Sequence, residues 1–178
     1  MADLLIAVPF QAEHLNLIGD FSCGEEAYER ELAEWIRHDS LPTLARGGKV
    51  WLYATSQKEI AGYGSLAVTR WNYPDPPNKR ISLALIPAVA IQKVFWGKPD
   101  GPRAERYSSQ ILDHLIVEAA QLPTDIPFLG LFVHPDNHRA IHVYERHGFQ
   151  SFSQTATDKV TGVIYRSMIR PLARPTPE

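Results

Sequence analysis

The chain has 178 residues, 44% of them apolar, which suits one domain with a buried core and argues against a disordered segment. A formal net charge of −2 leaves no strong field of either sign to recruit nucleic acid or anionic membrane. The single cysteine, Cys23, excludes an intrachain disulfide; with no basic-apolar leader after Met1 and no apolar run near the roughly 20 residues of a membrane span, the expected setting is cytoplasmic.

In chain order, Leu4 to Phe10 is a short apolar run that reads as a strand. Glu25 to His38 places Tyr28, Leu32, Trp35 and Ile36 on one helical face, with Glu and Arg on the other. Gly47-Gly48 breaks the chain, Val50 to Thr55 reads as a strand, and Ser56 to Glu59 as a hairpin turn. Ile60 to Trp71 is a longer strand in which Gly62 and Gly64 predict a bulge or a close backbone approach. Asn72 to Asn78, with three prolines, is a loop. Arg80 to Val94 is β-branched and apolar, but Pro87 removes a ladder donor, predicting an edge or a bulge.

Phe95 to Pro102 carries Gly97, Pro99, Gly101 and Pro102 and reads as a loop. Arg103 to Leu122 is an amphipathic helix with Tyr107, Ile111, Leu115 and Ala119 along one ridge. Phe128 to His134 is an apolar strand, Pro135-Asp136-Asn137 opens a helix reaching His147, and Gly148 is its left-handed cap. Phe149 to Thr155 and Gly162 to Arg170 read as strands joined through Asp158-Lys159, and Pro171 to Glu178 as a loose tail. The order β-α-β-β-β-α-β-α-β-β gives an α/β (α+β) domain over residues 1–170: a mixed, mostly antiparallel sheet of about six to seven strands flanked by about three to four helices.

The most informative stretch is Asn137 to Phe149. Taken alone it is a helix with asparagine at its start, Ala140 and Tyr144 on one face, and a glycine that turns the chain into a strand. A capped core helix with a buried tyrosine would look the same. The spacing resembles the last motif of the GNAT superfamily of acetyl-CoA-dependent N-acetyltransferases, Asn-x-x-Ala-x-x-x-Tyr-x-x-x-Gly-Phe, and Asn137, Ala140, Tyr144, Gly148 and Phe149 fill every position. The resemblance implies a GNAT fold from Leu4 to Arg170 and acetyl-CoA as donor. It assigns Tyr144 to protonate the departing thiolate and Asn137 to contact the cofactor.

A second family element is a loop-to-helix cradle for pyrophosphate, patterned Arg or Gln-x-x-Gly-x-Gly or Ala. Arg103-Ala-Glu-Arg106-Tyr107-Ser108 stands at this place; Arg103 and Ser108 fit it, whereas Arg106 replaces a glycine. Arg106 either pairs with a phosphate or narrows the cradle. With Lys98 and Arg103 it makes the most cationic helix entry in the chain, so retained binding by Arg103, Arg106, Tyr107 and Ser108 is the expectation. Val89-Ala90-Ile91 resembles the family strand whose backbone pairs with the pantetheine amides.

Phe21-Ser-Cys23-Gly24 followed by an amphipathic helix is similar to the GNAT-type toxins, which implies aminoacyl-tRNA as acceptor and a ribbon-helix-helix antitoxin as partner. The charge opposes that acceptor, since Glu25, Glu26, Glu29, Glu31 and Glu34 face only Arg30 and Arg37 in the helix. Cys23 has no base placed beside it and reads as a packed turn residue. His134, His138 and His142 lack the further ligands a metal needs, so no metal is expected. His134, at a strand end, is the candidate to accept the amine's proton, with a relayed water or a neutral amine as the other routes. The reading is thus acetyl transfer to a primary amine of a small molecule or protein, by direct attack in a ternary complex. The other readings are a tRNA-acetylating toxin and a CoA-binding module without catalysis; a homodimer is left open.

Overall fold

Alternation decides the first sheet. In Val50-Trp-Leu-Tyr53 successive side chains point to opposite faces, and all four are buried, so both faces must be covered. The computed structural model describes residues 4–73, 76, 78–96, 102–123 and 125–173, with the side chains of 102–106 excepted. The chain sorts into two compact units, Met1–Ala67 with Ala88–His114, and Val68–Pro87 with Leu115–Glu178.

In the first unit β1 (Ile6–Pro9) pairs antiparallel with β2 (Lys49–Ala54), and β2 with the first part of β3 (Ile60–Asn72). A short strand, β5 (Val89–Ile91), pairs antiparallel on the other edge of β3. Helix α1 (Ala27–His38) covers one face: Ile36 and Ala33 pack with Val50, Leu52 and Tyr63. Tyr63 is fully buried, stacks on Trp35 at 5.6 Å and donates its phenol to the Leu32 carbonyl at 2.7 Å, fastening helix to strand. The start of α3 (Pro102–Ala120) covers the opposite face, where His114 lies against Trp51 and its Nδ1 is 2.8 Å from the Tyr53 hydroxyl. Gly62 meets the close approach its sequence predicts: a Cβ there would strike the Ala90 carbonyl and lie 3.0 Å from Ile111 Cδ1.

In the second unit the strand order is the end of β3, then β4 (Arg80–Ile86), β6 (Phe128–Val133), β8 (Ile164–Pro171) and β7 (Gln150–Thr157). Strands β4 and β6 are parallel, and β6–β8 and β8–β7 antiparallel. Trp71, Ile81 and Leu83 form its core with Phe132, Phe152 and Ile169 against them. Helix α4 (His138–Arg146) enters from β6 and leaves into β7.

Three expectations are corrected. The strand expected over Arg80–Val94 is two strands and a 3-10 turn (Lys93–Phe95), because Pro87 has no N–H and Ser65 takes over the ladder bonds of Ala88. Among the described residues that makes eight strands rather than about six to seven. A 3-10 turn (Ala12–Leu17) and a short helix α2 (Ser40–Ala45) were not expected; Pro42 hides α2, yet proline is tolerated in a first turn, whose amides have no helical partner anyway. Where the tail was expected to start, Pro171 ends β8, and Leu172 is buried with its N–H bonded to the Pro127 carbonyl at 2.9 Å; residues 174–178 lie outside the described set. Among the described residues no helix is long and apolar enough to cross a membrane.

Candidate active site

Strand β5 presents a free backbone edge. Its register pairs Ala90 with Tyr63, and the Gln92 N–H donates to the Ala61 carbonyl at 2.8 Å. Alternate residues of an antiparallel strand send both polar groups to the same side, so Ala90 and Gln92 face β3 while Val89 and Ile91 face away. The Ile91 carbonyl accepts from Trp96 Nε1 at 3.0 Å. The Val89 and Ile91 N–H groups have no partner among the described residues. Ala90, expected beside them, spends its backbone on β3 instead.

The divergence behind this edge is held by Ser65, a residue that sequence reasoning missed. Its fully buried hydroxyl donates to the Ala88 carbonyl at 2.8 Å and accepts from the Ala88 N–H at 3.0 Å. One side chain thus replaces two ladder bonds where Pro87 breaks the strand. A lone serine in an apolar strand is the only trace of this in the sequence.

Helix α3 starts at Pro102, so by helical geometry its unpaired amides lie at Arg103 and Ala104. Tyr107 and Ser108, expected in the cradle, lie further in, where their amides belong to the helical ladder. Tyr107 is also buried, with its ring edge-on to Phe95 at 5.7 Å, so its side chain is core. Residues 97–101, with Gly97, Lys98 and Gly101, and the side chains of Arg103 and Arg106, lie outside the described set.

The ends of α4 are built from the motif itself. Asn137 is the N-cap: its Oδ1 accepts from the Ala140 N–H at 3.1 Å. At the other end Gly148 has φ +81°, a conformation that costs other residues a Cβ clash. That turn sends the Gly148 N–H to the Glu145 carbonyl at 3.0 Å and the Phe149 N–H to the Tyr144 carbonyl at 3.1 Å. The Phe149 ring then packs on Tyr144, centroids 5.8 Å apart. Tyr144 is buried, and its hydroxyl has no hydrogen-bond partner among the described residues. Burial raises the phenol above its ordinary range, so the group is held as a proton donor.

His134, at the end of β6, accepts the Asp136 N–H on Nδ1 at 3.2 Å and lies edge-on to Tyr165 at 5.5 Å. The Asp136 carboxylate lies 4.0 Å from the same Nδ1. No group of His, Cys, Asp and Glu among the described residues is arranged to hold a metal ion.

The Phe21-to-Gly24 stretch has a structural explanation. Phe21 and Cys23 are buried in the first unit's core, the Ser22 carbonyl accepts the Lys93 N–H at 2.6 Å, and the Glu29 carboxylate occupies the space beside Gly24. Burial first, then the nearby Glu29, push the Cys23 thiol up to about 12, which leaves it an un-ionised packing group.

A family model described as Acetyltransferase (GNAT) family matches residues 13–149. No curated protein matches the sequence. Among solved structures, a mutant of the toxin AtaT bound to the C-terminus of the antitoxin AtaR has TM-score 0.68 and 16% identity, over 96% of this chain and 94% of that one. AtaT complexed with acetyl-methionyl-tRNAfMet gives 0.63 and 16%, over 94% of each chain. The spermidine/spermine N-acetyltransferase SpeG from Vibrio cholerae, in complex with manganese ions, gives 0.60 and 15%, over 95% and 93%. At these identities the likeness carries the fold alone.

Proposed function

The chain belongs to the GNAT acetyltransferase family, and we propose that it moves an acetyl group from acetyl-CoA to the primary amine of a small molecule or a protein in the cytoplasm. The observation that carries this reading is the Tyr144 hydroxyl, buried and without a partner among the described residues, at the position where the family keeps its proton donor. A buried hydroxyl without a partner costs about 1–3 kcal/mol. Such a group fits a ligand atom that is to receive a proton.

When bound, acetyl-CoA supplies an acetyl group already activated as a thioester. The outward N–H groups of Val89 and Ile91 fit the amides of an extended chain, as in strand addition. An N–H on that edge also polarises the acetyl carbonyl and stabilises charge on its oxygen. The first-turn amides of α3 hold the diphosphate, and the resemblance adds the Arg103 and Arg106 side chains and the Ser108 hydroxyl. Asn137 has its Oδ1 committed to the cap, which leaves its side-chain NH2 for the cofactor. Tyr144 gives its proton to the departing sulfur. The amine attacks directly; its own proton goes to His134 or to a relayed water, or is lost before binding.

A second reading, acetylation of aminoacyl-tRNA, is favoured by the Phe21-to-Gly24 resemblance and disfavoured by the acidic α1. It would bring a ribbon-helix-helix antitoxin as partner and growth arrest on expression. Titration calorimetry with acetyl-CoA, then thiol release over a panel of amines, tests the first reading. Binding in the micromolar range with turnover on a free amine is the expected result. Absence of heat with both acetyl-CoA and CoA leaves neither enzyme reading standing.

A further inference from the structure

We infer that Arg170 is a positioning residue for Tyr144, acting through the carbonyl of His147, the residue that follows α4; this rests on Tyr144 as the proton donor. No hydrogen bond from a described residue holds the Tyr144 hydroxyl. Its place is therefore set by the ring's packing and by the backbone that carries it. The ring leans on Phe149, which belongs to the same turn. The backbone is the C-terminal end of α4, where several carbonyls point out of the helix and need donors.

Most of those bonds are made inside the turn. The His147 N–H reaches the Tyr144 carbonyl at 3.0 Å, and the Gly148 and Phe149 N–H groups reach Glu145 and Tyr144. His147 Nδ1 lies 2.8 Å from the Val143 carbonyl. These contacts are made within the turn itself. The His147 carbonyl is different. It accepts from an Arg170 guanidinium nitrogen at 2.7 Å. Arg170 stands on β8 opposite Leu129 of β6, so it is anchored in the sheet. A cation at a helix C-terminus also meets the negative end of the helix dipole. Arg170 thus joins the helix end beneath Tyr144 to the sheet by a charged, directional bond. Without it, the turn keeps its internal bonds and its run into β7, where Gln150 pairs with Ile169 of β8, but loses the charged tie at the helix end. A shift of about 1 Å in a reacting group can cost about a hundredfold in rate.

The test is a double-mutant cycle of Arg170→Met and Tyr144→Phe, read as kcat and KM for acetyl-CoA, with thermal melting of each variant. Arg170→Met is expected to lower kcat about tenfold with KM within about twofold. In the Tyr144→Phe background the same change is expected to leave kcat unaltered, since no donor remains to misplace. Arg170→Lys, which keeps charge and donor, is expected to recover most of the lost kcat. If Arg170→Met does not fold, Arg170→Gln is measured in its place against the same outcomes. Equal losses in both backgrounds, or a loss in KM rather than kcat, overturn the role of Arg170 while leaving Tyr144 intact. A Tyr144→Phe enzyme with full kcat overturns the Tyr144 reading, and this inference with it.

Discussion

Tyr144→Phe should change stability and activity in opposite directions. The substitution removes one oxygen and leaves everything that fixes the helix end: the Tyr144 carbonyl still accepts the Phe149 N–H, and a phenyl ring still packs on Phe149. The oxygen removed has no partner among the described residues. Leaving such a group buried costs about 1–3 kcal/mol, so its loss should be neutral or stabilising by up to about that much. For a chain of this size each kcal/mol moves the melting temperature by about 2–4 °C. The chemical step should suffer. General acid catalysis is worth about 10²–10⁴ in rate, which corresponds to about 3–5 kcal/mol of barrier. Calorimetry would read the first effect, and thiol release at saturating amine the second. Acetyl-CoA affinity should stay within about twofold, because the hydroxyl is assigned to the departing sulfur and not to ground-state binding. A variant that melts lower yet turns over at the wild-type rate would refute the reasoning on both counts.

Ser65→Ala should cost about 1–3 kcal/mol in urea unfolding, because it strands the N–H and C=O of Ala88 where Pro87 has already broken the ladder. The same change should weaken acetyl-CoA binding, since the edge bearing Val89 and Ile91 starts at that residue. For Cys23 the sign follows from its raised pKa: the folded state favours the thiol, so its contribution is complete below about 9 and declines as pH rises toward about 12. Over that window one proton accounts for about 1.4 kcal/mol per pH unit, and Cys23→Ala should flatten the alkaline limb of stability by that slope.

Much of this was legible in the sequence because period and punctuation agreed. Val50 to Tyr53 is an unbroken apolar run that is buried on both faces, α1 shows its apolar stripe, and Asn137 and Gly148 mark the ends of α4 where cap and left-handed turn are found. What escaped notice depends on tertiary neighbours. Pro87 announced a disturbance, but only Ser65, far away in sequence, decides that the strand divides there. Tyr107 looked like part of a loop-to-helix cradle, yet Phe95 makes it core. Arg170 carried no signal, being one of several arginines near a chain end.

The family spacing from Asn137 to Phe149 is less independent evidence of catalysis than its length suggests. Asparagine is there because a helix start needs an acceptor for the Ala140 N–H. Glycine is there because the chain must pass through φ +81°. Phenylalanine follows because its N–H closes on the carbonyl four residues before that glycine and its ring covers the residue at that place. A helix that merely had to stop and turn into a strand would keep all three, with any large apolar residue at 144. The fold accounts for a ring at that position and for its carbonyl, but not for the hydroxyl, which is buried without a partner among the described residues. A single oxygen therefore separates a helix-stop signal from an acyltransferase signal.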